Sequence, residues 1–414
     1  MNLTRRKLLA GMGLVSLAAP MKVVLGTTDE SPISEFPQKA AFALPSDVTC
    51  LNNARWHSMP VGAVRSVQRY LEAKAQDDPE AEELIHEIQE APRVLFARLI
   101  NARLGEISYV PSTMVGESLI VGGMGLPAAG GNVVTDALHF EGSLYLYQAL
   151  ARQGLDVRIV KPRDWRIELN DVAKFVDNKT KLVAVSLVSF INGFQHDLKA
   201  ICDLAHAHGS YVYADIIQAV GAIPVDVRAS NVDFCACASY KWLMGDMGLG
   251  FLYVRQDLLG RVVKRTQYGY RQLSQFQYHI FPLDEPGDSI VEWRQGESAA
   301  HFFEVGTYAN ATLACLAYSL NYILELGVER IQAHTQSLLQ RVKRELPALG
   351  YEPLTPPGTK SPIATFVVKE PHAVARRLAA RKVDVSITGH RMRISPSVYN
   401  DDRDVDRLLE ALSG

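Results

Sequence analysis

Between residues 156 and 255 this chain repeats one arrangement: a short run of β-branched, aromatic and aliphatic residues, a linking segment, then another such run. The runs are "DVRIVKP" (156–162), "KLVAVSLVSF" (181–190), "SYVYADI" (210–216), "VDFCACAS" (232–239) and "GFLYVR" (250–255). "LKAICDLAHAHG" (198–209), closed by a glycine C-cap, is the clearest helix between them. This order implies a largely parallel sheet covered by helices, an α/β fold. "GFLYVR" follows a loop directly and is the candidate antiparallel strand.

From Asn310 the texture changes. One or two long amphipathic helices lead into "IATFVVK", "PHAVARRLAARK", "VDVSIT", "RMRIS" and "DVDRLLEAL", a strand, helix, two strands and a helix that fit a second, smaller α+β domain. The segment 268–300 shows no clear periodicity and reads as a long ordered loop at a subunit contact. A length of 414 residues, 48% of them hydrophobic, suffices for about two domains. The net charge of -2, without a long basic run, excludes a nucleic-acid surface, which needs clustered Lys and Arg. The cysteines (Cys50, Cys202, Cys235, Cys237, Cys315) are odd in number and too sparse for a disulfide scaffold. Cys235 and Cys237 share one strand face as small hydrophobes.

The N-terminus is different in kind. "MNLTRRKLLAGMGLVSLAAP" (1–20) sets Arg5 and Arg6 before an apolar stretch, Leu8 to Pro20, too short to span a bilayer. Thr4-Arg5-Arg6-Lys7-Leu8-Leu9 resembles a twin-arginine signal, which implies the twin-arginine translocation machinery as a partner and the periplasm as destination. A basic-flanked first helix of an unexported protein has the same composition. The expected organisation is a signal over 1–26, an N-terminal segment over 27–65 packing with the small domain, a large cofactor-binding domain over 66–309 and the small domain over 310–414.

"SYKWLMGDMG" (239–248) raises the chemical question, because it ends an apolar strand on Lys241. Burying an ammonium is costly unless it is paired or neutralised, and a lysine so held is suited to nucleophilic or Schiff-base chemistry. A lysine reaching water from a strand end fits the same stretch. Ligands gather beyond the carboxyl ends of parallel strands, where Asp215 ends "YVYAD", Gln218 follows in its turn and Lys241 follows the next strand. A plain salt bridge would also satisfy Asp215 and Lys241. In "YVPSTMVGESLIVGGMGL" (109–126), Ser112 and Thr113 start a helical pattern, as an ordinary cap or as an anion site suited to phosphate. A phosphate cradle, a carboxylate and such a lysine are together what pyridoxal 5'-phosphate requires: the carboxylate keeps the pyridine nitrogen protonated while the lysine holds the aldehyde. A dinucleotide site is excluded, since Gly123, Gly125 and Ala128 are followed too closely by Gly130-Gly131 and interrupted by Pro127. His206 and His208, two apart on a helix, share no face, so no metal site is expected.

"YADIIQAVGAIPVDVRASNVDFCACASYKWLMGDMGLGFLYVR" (213–255) resembles the Asp-x-x-Gln to Lys segment of the class V aminotransferases, the PLP-dependent fold type I family that includes cysteine desulfurases, kynureninase and isopenicillin N epimerase. The resemblance covers nearly all of the chain after the signal. It implies a large domain with a mostly parallel seven-stranded sheet between helices, plus a smaller α+β domain. It implies that Lys241 carries the cofactor, that Asp215 pairs with the pyridinium nitrogen and that Gln218 contacts the ring hydroxyl. By the same resemblance Phe140, in "LHFEGSLYLYQAL", lies over the ring, and Ser112 and Thr113 form the phosphate turn. Tyr240 stands where desulfurases often carry a phosphate-binding histidine. Thr307, in "FEVGTYAN" (303–310), would reach the phosphate across a homodimer interface. Arg393, in "RMRISPSVYN" (391–400), would bind the substrate carboxylate, and Asn192, in "VSFINGFQHDL" (188–198), would lie nearby.

The departures matter too. No cysteine follows Cys315, which disfavours the persulfide route of a desulfurase, and Asp246 replaces a proline common in the lysine loop. The reading is an exported PLP-dependent enzyme acting on the amino group of an amino acid or peptide. Exported relatives of this branch modify peptide siderophores such as pyoverdine. The alternatives are a carbon-sulfur lyase of the same fold or a non-catalytic exported binding protein.

Overall fold

Seven short strands build the central sheet: β1 (Ile107–Val110), β2 (Asn132–Asp136), β3 (Asp156–Val160), β4 (Thr180–Ser186), β5 (Tyr211–Asp215), β6 (Phe234–Ala238) and β7 (Gly250–Val254). The computed structural model describes residues 35–76 and 81–413, so the signal-like segment and its expected boundary at residue 26 lie outside the described residues. Across the sheet the order is β1-β7-β6-β5-β4-β2-β3. Strands β2 to β6 pair in parallel, and β7 is antiparallel to both neighbours.

The sheet is mostly apolar because both faces are covered. Along β4, Val183 and Val185 enter one apolar cluster while Leu182 and Ala184 enter another, the two-residue period of a strand. The same alternation sends Val212 and Ala214 of β5 to the first cluster and Tyr213 to the second. Ile201, Cys202 and Ala205 of helix Leu198–Ala207 complete the first; Leu119 and Ile120 of helix Thr113–Gly123 complete the second. Cys235 and Cys237 do share a face, inside the first cluster.

A separate three-stranded antiparallel sheet, Ala364–Val367, Arg391–Ile394 and Ser386–Thr388 in spatial order, lies near the C-terminus with its own apolar cluster. Helix Asn310–Leu326 buries Leu313, Leu316, Leu320 and Ile323 in the large sheet's core. Helix Val328–Glu345 instead sends Leu338, Leu339 and Val342 into the C-terminal core. Val328 and Ile331 of that helix still enter the large sheet's core, so the change of core falls inside it, between Ile331 and Leu338, beyond the change in sequence texture at Asn310. Thr49–Cys50 pairs in parallel with Val383–Asp384 as a separate two-stranded sheet, and Leu51 joins the C-terminal core, so the N-terminal segment packs with the C-terminal part. Both cores belong to one compact unit. Residues 268–300, expected as a loop, contain an antiparallel ribbon, Leu273–Tyr278 with Val291–Gln295.

Candidate active site

The parallel register brings the carboxyl ends of three strands level. Ser186 of β4 stands opposite Asp215 of β5, which stands opposite Ala236 of β6. Three residues after β6 comes Lys241, 9% exposed. Among the described residues its ammonium takes no ion pair, and the nearest aromatic face, Tyr240, is centred 5.7 Å away. Burial brings its amine down to about 8, Arg393 adding to the effect and Asp215 opposing it. Asp215 is 3% exposed, and one carboxylate oxygen accepts the Ile217 N–H at 2.9 Å. Burial pushes its carboxyl up to about 6 against the pull of His139 and Lys241. Two opposite charges thus share a buried site without joining in a salt bridge, which leaves both able to serve a third group.

Helix Thr113–Gly123 begins beside them. Ser112 Oγ caps it by accepting the Val115 N–H at 3.2 Å, and Thr113 Oγ1 accepts the Ala238 N–H at 2.9 Å. That second bond fastens the helix N-terminus to the end of β6, three residues before Lys241, so an anion at the helix start would sit close to the lysine loop. Gln218 is buried with its carboxamide engaged: Nε2 donates to the Ala54 carbonyl at 2.9 Å and Oε1 accepts the Trp242 indole N–H at 3.0 Å. Tyr240 is half-buried, and its carbonyl accepts the His57 N–H at 3.0 Å.

Phe140 holds the N-cap position of helix Glu141–Ala151 and meets Phe190 edge-on at 5.5 Å. The Phe190 carbonyl in turn accepts from Arg393 Nη1 at 3.0 Å. Burial lowers the Arg393 guanidinium to about 10, and Arg391 and Arg55 repel it further. Its Nε has no hydrogen-bond partner, and no carboxylate pairs with it among the described residues. A half-buried guanidinium without a counter-ion is a binding group for an incoming carboxylate.

Two expected residues stand apart. Asn192 is fully buried, with both amide hydrogens on backbone carbonyls, Trp165 at 2.7 Å and Leu354 at 3.3 Å, while its oxygen accepts the Phe194 N–H at 3.0 Å. It stitches a loop together and has no hydrogen left for a substrate, which corrects its assignment as a substrate-binding residue. Thr307 is exposed in this single protomer.

Sequence reasoning missed the groups behind the site. His139 is fully buried and sits between Glu117 and Ser186. His57 is buried and pulled down to about 4 by desolvation, so it is neutral, with Nδ1 on the Ser58 carbonyl and Nε2 2.5 Å from Ser397 Oγ. His139 was visible beside Phe140 in "LHF", but nothing local marks it as buried among carboxylates.

These residues fit pyridoxal phosphate: an amine that loses its proton near pH 8, a carboxylate with one oxygen free of hydrogen bonds among the described residues, and a helix N-terminus tied to the same loop. The aminotransferase class-V model matches residues 63–408. A probable cysteine desulfurase of Methanothermobacter thermautotrophicus is 26% identical over 396 residues, covering 88% of this chain and 94% of its own length. A cysteine desulfurase of Klebsiella pneumoniae is 28% identical over 343 residues, 78% of this chain and 81% of its own. Among solved structures, the apo cysteine desulfurase of Thermococcus onnurineus superposes with a TM-score of 0.79 at 23% identity, covering 92% of this chain and 98% of that one. A C-DES mutant with glycine covalently linked to its PLP cofactor gives 0.79 at 20% identity, covering 91% and 99%. With a model match over most of its length and a fold to agree, the chain belongs to the class-V aminotransferases, a family of PLP-dependent enzymes.

Proposed function

We propose that this enzyme acts on the amino group of an amino acid or peptide whose carboxylate is held by Arg393. The observation that carries this is the half-buried, unpaired guanidinium close enough to Lys241 to help depress its pKa. When bound, the cofactor supplies an electron sink for the pair left by a bond broken at the substrate α-carbon. Lys241, whose amine is free above about pH 8, takes and returns a proton at that carbon as general base and acid. Asp215, ionised above about pH 6, has one oxygen free of hydrogen bonds among the described residues and would use it to hold the cofactor's ring nitrogen. Arg393 fixes the substrate's orientation by a forked bond to its carboxylate.

A desulfurase-like persulfide step finds no support in the thiols. Cys202, Cys235, Cys237 and Cys315 are buried, Cys50 is half-buried, and burial pushes every one of them up. The twin-arginine-like segment supports export of a folded protein to the periplasm.

Amines with and without a carboxylate, added to the holoenzyme, test the substrate class through the visible cofactor band. Carboxylated amines should perturb it and lose affinity by roughly 10- to 100-fold in Arg393→Met; equal response to amines lacking a carboxylate contradicts the reading. Changing Arg5 and Arg6 to Lys should retain the protein in the cytoplasm, and undisturbed periplasmic delivery contradicts export.

A further inference from the structure

One buried group of titratable side chains has no part in the chemistry above. Glu117, inside helix Thr113–Gly123, is fully buried and accepts from Ser143 Oγ at 2.6 Å and Tyr147 Oη at 2.7 Å. Its Oε1 also lies 3.3 Å from His139 Nε2. The other ring nitrogen of His139 is 2.8 Å from Ser186 Oγ. Ser186 stands directly opposite Asp215 in the parallel ladder, and residues paired across a ladder project from the same face. The imidazole is therefore braced against the strand neighbour of the carboxylate at the centre of the site.

The charged and titratable groups around His139 come from four elements: Glu117 from its helix, Tyr147 from helix Glu141–Ala151, Asp136 from the end of β2 and Asp215 from the end of β5. Asp136 has its own partner, His196 Nε2 at 3.1 Å. Burial works against the imidazolium, but Glu117, then Asp215 and Asp136, outweigh it and hold the ring above the usual histidine range. A cation at this place offsets the desolvation that drives Asp215 toward its neutral form.

We propose that Glu117 and His139 are a positioning pair for Asp215, keeping its carboxylate ionised where it meets the ring nitrogen of the cofactor. Neither touches substrate or cofactor. They act through Asp215: Glu117 anchors and charges the imidazole, and the imidazolium, the strongest influence lowering the Asp215 carboxyl, outweighs the weaker direct repulsion from Glu117.

The test is the protonation of the cofactor's ring nitrogen, followed by NMR against pH in holoprotein reconstituted with pyridoxal phosphate isotopically labelled at that nitrogen. Wild type, Glu117→Gln, His139→Gln and Asp215→Asn are compared, with folding checked by circular dichroism and loading by cofactor content. In His139→Gln the nitrogen should lose its proton at lower pH than in wild type, its proton affinity falling about tenfold or more. Glu117→Gln should shift it in the same direction by less. If His139→Gln fails to fold, Glu117→Gln alone decides. Folded, loaded variants that titrate like wild type while Asp215→Asn shifts would overturn the proposal.

Discussion

Two buried aspartates on neighbouring strands of one sheet have opposite surroundings. Asp233, just before β6, is fully buried yet closed off: Arg255 Nη1 and His206 Nε2 each lie 2.8 Å from its oxygens, and the Val212 N–H donates to it at 2.8 Å. Asp215, at the far end of β5, accepts one backbone N–H from within its own turn and faces Lys241 without an ion pair. The first end of the sheet uses its charges on itself. The other keeps them for something else. Charge that is buried and ion-paired within the protein is architecture; charge that is buried without an ion pair marks a site.

Replacement of Lys241 by Ala should produce the largest effect, lowering kcat by about a thousandfold or more and abolishing the visible cofactor band. Steady-state kinetics and absorbance check both. At the partnered end, Arg255→Ala should leave activity per folded molecule intact but cost about 3 kcal/mol of stability in urea unfolding, since it strands Asp233.

The under-partnered end should behave in the opposite way. In the apoprotein, Lys241→Met should raise stability by about 2 kcal/mol at neutral pH, because it removes a buried charge. The pH dependence has a definite sign. The folded lysine releases its proton near pH 8 and the unfolded one near 10.5, so between these values the unfolded chain binds more protons and wild-type stability rises with pH. The advantage of Lys241→Met should therefore shrink across that window. For Asp215 the order reverses: the folded carboxyl holds its proton up to about 6 and the unfolded one to 3.8, so stability falls as pH rises between them. Asp215→Asn should remove that fall, as urea unfolding at stepped pH would record. The smallest effect sharpens the distinction at Asn192, where Ala should cost about 1–2 kcal/mol of stability and leave the KM for substrate unchanged.

Much of the architecture was legible because the parallel strands are continuous apolar runs with both faces covered. β1 and β2 were harder to read, being four and five residues long and embedded in segments that carry other signals. The ribbon over Leu273–Tyr278 and Val291–Gln295 was invisible to periodicity because exposed aromatics, Phe276, Tyr278 and Trp293, blur its polar pattern. The change of core inside helix Val328–Glu345 is not visible in the sequence, because two consecutive amphipathic helices look alike until one knows which sheet each covers. Lys241 and Asp215 stand out because each is a charged residue at or just past the end of an apolar strand, whereas Arg393 was reached only through the family resemblance. Asn192 misled for the same reason His139 was missed: a polar side chain in a loop or turn does not reveal whether its partners are backbone, buried charge or ligand.

The most direct measurement reduces the reconstituted enzyme with borohydride and maps the modified peptide by mass spectrometry. The under-partnered end of the sheet predicts one reduced cofactor, on Lys241. Reduction that fixes the cofactor to a different lysine, or to none in a folded and loaded protein, would contradict it.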